Sequence, residues 1–144
     1  MRLLVIHGPS LNLLGSREPQ IYGSKTLDDI NHEIATAANE LSVEVECKQF
    51  NDEGDIIDAI HAARSSVDFI IINPGAYSHY SHAIADAIAA GGVCAIEVHL
   101  TQIFAREPFR RRSVIAPACV GTIAGFGALS YVLAMRAAAQ LGAK

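Results

Sequence analysis

Arg17 and Tyr22 share a long connection, HGPSLNLLGSREPQIYG (7–23), that follows the first apolar run of the chain. Connections in compact domains run about 2–6 residues, and longer ones tend to be lids or binding loops. Tyrosine is a poor base at its ordinary pKa of about 10, but a guanidinium beside it favours the phenolate. Arg17 and Tyr22 on one mobile loop therefore supply the parts of a proton-abstracting pair, with Ser10, Asn12 and Glu18 as further polar groups. The same residues also read as a solvated Arg–Glu surface pair with a packing tyrosine, and the local pattern leaves both open.

A second group lies in EVHLTQIFAREPFRRR (97–112). Glu97 and His99 alternate along a strand-like run, so both side chains fall on one face, with Glu97 the deeper. A carboxylate beside an imidazole fixes its orientation and favours its charged form, which makes His99 a candidate general acid. A structural Glu–His pair at a sheet end is the alternative. Arg106 and Arg110 to Arg112 follow, and a guanidinium fork suits a carboxylate or hydroxyl. The third group is NPGAYSHYSH (73–82). Asn73 and His79 are read as substrate hydrogen-bond partners, and the backbone amides here as a seat for an anion. His79 and His82 share a helical face, but no third ligand accompanies them, so no metal is expected. Lysine is scarce (Lys25, Lys48 and Lys144), with none at a core strand end, which disfavours a Schiff base. There is no Walker A motif, no GxGxxG after the first strand, no GxSxG and no HExxH. Gly125-Phe126-Gly127 is read as close helix–sheet packing rather than a phosphate turn.

These groups need a scaffold, and apolar runs alternating with helix-period segments supply one. Strands are expected at 2–7, 43–50, 67–72, 93–98 and 113–120. Helices are expected over 27–41, where Thr26 and Asp29 form a capping-box-like start, and over 54–66, 79–90 and 127–141. The predicted fold is α/β, a flavodoxin-like doubly wound five-stranded parallel sheet of order 2-1-3-4-5. Ligands in such sheets bind beyond the carboxyl ends of the strands at the switch in strand order, here between the first and third. All three polar groups follow strands at that edge. The 144 residues suit a single domain, 1–144, and 51% hydrophobic with 18% charged content is that of a folded globular chain. A net charge of −4 argues against a nucleic-acid partner despite the local RRR at 110–112. No apolar run is long enough for a membrane span, and the opening run breaks at Gly8-Pro9, too early for a signal peptide. Cys47, Cys94 and Cys119, without CxxC spacing, read as small core hydrophobes in a reducing cytoplasm. On residues alone, the reading is a cofactor-free lyase or isomerase with a Tyr base and a His acid acting on a small carboxylate. The rival is a non-catalytic flavodoxin-like binding module.

The motifs GPSLNLLGSREPQIYG, NPGAYSHYS, IEVHLTQIFAREPFRRRS and IAGFGALSY, in that order and spacing, make the chain resemble type II 3-dehydroquinate dehydratase, the small shikimate/quinate-pathway enzyme. The resemblance runs almost end to end. It implies a flavodoxin-like fold, a dodecamer built from trimers, no metal and no cofactor. It implies that Tyr22, assisted by Arg17, removes the C2 proton of 3-dehydroquinate, and that His99, oriented by Glu97, protonates the departing C1 hydroxyl. Ser10 matches a position near the enolate oxygen. Asn73, Gly75, Ala76, His79, Arg106, Arg110 and the backbone at Leu100 and Thr101 match substrate-holding positions. Asp86 matches an acidic residue that reaches a neighbouring subunit's site. The departures are Ser10 for the usual Asn, Gln102 and Phe104 in the SN.H positions, Pro108 for a common Glu, and Ala85 for a frequent Arg. They leave a paralogue acting on a related cyclic hydroxy-keto acid as the alternative.

Overall fold

Alternate residues of the first strand enter two different cores. In β1 (Arg2–His7), Leu3 and Val5 join one apolar cluster while Leu4 and Ile6 join another. That is the alternation of a strand covered on both faces. In β3 (Phe69–Asn73), Phe69 and Ile71 lie on the first side and Ile70 and Ile72 on the second. The computed structural model describes residues 1–142, so the last two residues of the expected domain, Lys144 among them, lie outside the described residues. With β2 (Glu44–Gln49), β4 (Cys94–His99) and β5 (Gly121–Ala124), the strands form one parallel sheet ordered β2-β1-β3-β4-β5. The expected doubly wound order is present, with its reversal between β1 and β3.

The helices cover the two faces in pairs. Ile30, Ile34, Ala37 and Ala38 of α2 (Leu27–Leu41) and Tyr131, Ala134, Met135 and Ala138 of α5 (Leu129–Gly142) close the Leu3 side. Ile56, Ile60 and Ala63 of α3 (Glu53–Ala63) and Ile84, Ala87 and Ile88 of α4 (His82–Gly91) close the other. The capping box at the start of α2 is formed: the Thr26 hydroxyl accepts from the Asp29 N–H at 3.1 Å, and the Asp29 carboxylate accepts from the Thr26 N–H at 2.9 Å. The bond from the Thr26 backbone holds the Asp29 carboxyl below its ordinary range. Among the described residues no helix is long and apolar enough to cross a membrane.

Four expectations need correction. The fifth strand is not 113–120 but Gly121–Ala124. The Ser113 hydroxyl accepts the Ile115 and Ala116 N–H groups, Pro117 has none to give, and the segment closes into a 3₁₀ turn over Ala116–Ala118. The helix expected at 79–90 is split into a 3₁₀ turn, Gly75–His79, and α4, which starts after the Ser81 cap. Cys94 is exposed, whereas Cys47 and Cys119 are half-buried. Gly125 and Gly127 serve backbone conformation rather than packing. Their φ values are +101° and +59°, and a Cβ at Gly127 would meet nothing within 4 Å.

Candidate active site

The register sets His7 beside Asn73 and Ile72 beside Glu97, so the loops leaving β1, β3 and β4 open on one edge of the sheet. Gly8 ties the first two together. Its N–H donates to the Asn73 carbonyl at 2.7 Å, and a Cβ at Gly8 would lie 2.6 Å from that oxygen. Only glycine permits this approach. The three loops enclose a cavity of about 230 Å³. Ser10, Arg17 and Tyr22 line it from the β1 loop, Asn73, Gly75, Ala76 and His79 from the β3 loop, and His99, Leu100, Thr101, Arg106 and Arg110 from the β4 exit. Glu97 lies behind His99, fully buried, and Asp86 is exposed on α4 outside the cavity wall.

The long first loop is ordered by local structure. Ser10 takes a left-handed backbone (φ 65°) and donates its N–H to Asn51 Oδ1 at 2.9 Å. A 3₁₀ turn, Leu11–Leu13, and a short helix, α1 (Pro19–Tyr22), follow. Proline suits the first helical position because no N–H is needed there. Tyr22 ends α1 and lies close to two cations. Arg17 Nη2 donates to its hydroxyl at 3.1 Å, the Arg17 guanidinium lies 4.3 Å from its ring centre, and that of Arg106 lies 5.1 Å away.

At the β4 exit His99 Nε2 lies 2.6 Å from Glu97 Oε1, both groups buried. Nε2 therefore carries the proton, and Nδ1 is the nitrogen left for other partners. The Ser113 hydroxyl contacts both Glu97 oxygens, at 2.9 and 2.8 Å, and steadies the carboxylate. His79 is fixed in the same manner: Nδ1 donates to the Arg112 carbonyl at 2.8 Å, leaving Nε2 as an acceptor. The Leu100 carbonyl is occupied by the Gly127 N–H at 2.9 Å. Arg110 Nε is held by Glu107 at 2.7 Å, and that bond keeps the Glu107 carboxyl below its ordinary range.

Among the described residues, the cavity wall contains Arg17, Arg106 and Arg110 and neither a carboxylate nor a lysine. Such a site attracts an anion of modest size. Sequence reasoning missed Tyr77 and Tyr80, which line the cavity, and Ser113, which braces Glu97. The tyrosines stood in a motif already singled out. Ser113 closes another quoted motif, but its pairing with Glu97 carried no signal, because the two lie sixteen residues apart.

Comparison with known proteins places the chain. The family model described as dehydroquinase class II matches residues 1–139. The chain is 53% identical over 141 residues to a 3-dehydroquinate dehydratase of Pelotomaculum thermopropionicum, covering 98% of each. It is 56% identical over 137 residues to one of Geotalea daltonii, covering 95% of each. The type II dehydroquinase structure from Butyrivibrio crossotus superposes with a TM-score of 0.94 at 45% identity, over 96% of this chain and 97% of that one. Fold and sequence agree: the chain belongs to the class II dehydroquinase family.

Proposed function

We propose that the protein is a hydro-lyase that dehydrates 3-dehydroquinate to 3-dehydroshikimate, with Tyr22 as base and His99 as acid. One observation carries this reading: the Arg17–Tyr22 pair and the Glu97–His99 pair, distant in sequence, line or back a single arginine-rich cavity. The Tyr22 phenolate takes the C2 proton, and the C–H electrons move into the ring to give an enolate at the C3 oxygen. Arg17, 3.1 Å from the phenol oxygen, offsets the charge on the base. The enolate then re-forms the ketone as the C1–O bond breaks, and the hydroxyl leaves as water with a proton from His99. Glu97 offsets the charge of the imidazolium before that transfer. Arg106, Arg110, Asn73 and His79 supply donors and acceptors for the carboxylate and hydroxyls. Every proton that moves has a side chain to carry it, so neither metal nor cofactor is needed.

The proposal includes a homo-oligomer, a dodecamer built from trimers. The exposure of Phe104, Phe109, Phe126 and Leu129 supports it, as does Asp86 standing clear of its own cavity on α4. The test is the appearance of the conjugated enone of 3-dehydroshikimate by ultraviolet absorbance on adding 3-dehydroquinate. Turnover that survives a chelator and borohydride is expected. No product, or loss of activity to either reagent, overturns the reading.

A further inference from the structure

We propose that His7 is a positioning residue that acts through Tyr131 to fix which way the Asn73 amide faces the cavity, and so whether that wall offers a substrate a donor. The observation is a chain of hydrogen bonds crossing four elements, buried except where it reaches the half-buried Asn31. His7 Nε2 lies 2.8 Å from Asn31 Oδ1 on α2, His7 Nδ1 lies 2.8 Å from the Tyr131 hydroxyl on α5, and Asn73 Nδ2 lies 3.1 Å from that same hydroxyl. His7 and Tyr131 are 0% and 1% exposed and do not line the cavity, so water does not substitute for a missing partner between them.

Chemistry gives every bond in the chain one direction. The Asn31 carbonyl oxygen only accepts, so His7 Nε2 carries the proton and Nδ1 is an acceptor. The Tyr131 hydroxyl has one proton and gives it to Nδ1. Its lone pairs then face Asn73, which donates from Nδ2, while Asn73 Oδ1 accepts the Gly75 N–H at 3.2 Å. The second Nδ2 proton has no protein partner among the described residues, on a side chain that lines the cavity. Burial supports the neutral ring, since it holds His7 down at about 4, and its side-chain partners, Asn31 and Tyr131, are uncharged. Tyr131 is pushed up by burial and keeps its proton. If His7 no longer accepts, the Tyr131 hydroxyl turns to Asn73 Oδ1. The amide rolls over, Gly75 loses its acceptor, and a donor on the wall becomes an acceptor. His7 itself does not line the cavity.

The inference rests on the dehydratase reading for its substrate, and two measurements on the full-length protein keep the two apart. The first is steady-state turnover of 3-dehydroquinate. His7→Leu should raise KM about tenfold, the scale of one neutral hydrogen bond, with kcat nearly unchanged, because the contact is made in ground and transition states alike. His7→Asn, whose Oδ1 takes the place of Nδ1, should return KM to within about twofold of wild type. A merely structural role lowers the active fraction, and hence kcat, and leaves KM alone. That result, or an unchanged KM in His7→Leu, overturns the proposal. The second is the histidine ¹⁵N spectrum near neutral pH. His7 should appear as the neutral Nε2–H tautomer, with an Nδ1 signal that moves in Tyr131→Phe as its donor is lost. A His7 that is cationic or protonated at Nδ1 overturns the relay whatever the substrate, whereas an inactive wild type with the expected spectrum removes only the dehydratase reading.

Discussion

Tyr22 has its hydrogen-bond partner, Arg17, within a few residues in sequence, and that is why the pairing was legible. Arg17 and Tyr22 share one loop, Glu97 and His99 one strand end, and spacing alone put each pair together. His7, Tyr131 and Asn73 had no such signal, since their contacts span 124 and 58 residues and depend on two strands and a helix meeting. Ser10 lies between these cases. Its position was marked by a departure from the family pattern, but its left-handed backbone is visible only in the structure. Asparagine tolerates that conformation better than serine, and it offers both an acceptor and an NH₂ donor. Asn12 is exposed and does not line the cavity, so it does not supply these groups in place of Ser10. Loss of a donor to an oxyanion costs about 2.7–4 kcal/mol, and less through a water. Ser10→Asn should therefore raise kcat several-fold, more than it alters KM; an unchanged or lower kcat in the dehydratase assay contradicts this.

His7 also makes a prediction about acid. Its pKa falls from 6.5 to about 4 on folding, through desolvation first, so between these values the unfolded chain binds a proton that the native protein refuses. The native state is unaffected above the unfolded value, loses stability as pH falls from about 6.5 to about 4, and below that bears the full cost of about 3 kcal/mol. Urea unfolding at about pH 7 and about pH 5 should show a smaller loss in His7→Asn than in wild type. Equal losses in the two proteins would assign the acid sensitivity to other groups.

Among the elements, those read from strong periodicity came out where expected, and those whose ends depend on tertiary contacts did not. The apolar period of 27–41 and the Thr26–Asp29 cap describe α2 completely because both are local. At 113–120 the apolar composition suited a strand, yet Ser113 and Pro117 remove the donors a ladder needs, and pairing with β4 begins only as Val120 donates to Ala95 at 2.8 Å. α2 carries Asn31, so its cap contributes to the wall behind the site as well as to the helix. Thr26→Ala removes one partner of the box and should cost about 1 kcal/mol in urea unfolding. A loss below about 0.3 kcal/mol would mean that water replaces the cap at this exposed end.

Across the whole molecule, a net charge of −4 coexists with a cavity lined by three arginines and no carboxylate. The overall charge argues against one class of partner, whereas the local charge favours an anion in the cavity. The doubly wound order explains how separate motifs converge, because the loops after β1, β3 and β4 leave the same edge next to the switch in strand order. The proposed assembly has no comparable signature in the sequence beyond the family resemblance, since the exposure of Phe104 and Phe126 is visible only in the structure. The chemistry proposed for this edge depends most on Tyr22 as the group that takes the proton. The decisive measurement is kcat for 3-dehydroquinate in Tyr22→Phe beside wild type, with assembly checked by sedimentation. Loss of a positioned base predicts a fall of about a hundredfold or more with the assembly unchanged; near-normal turnover by an intact Tyr22→Phe would contradict the mechanism.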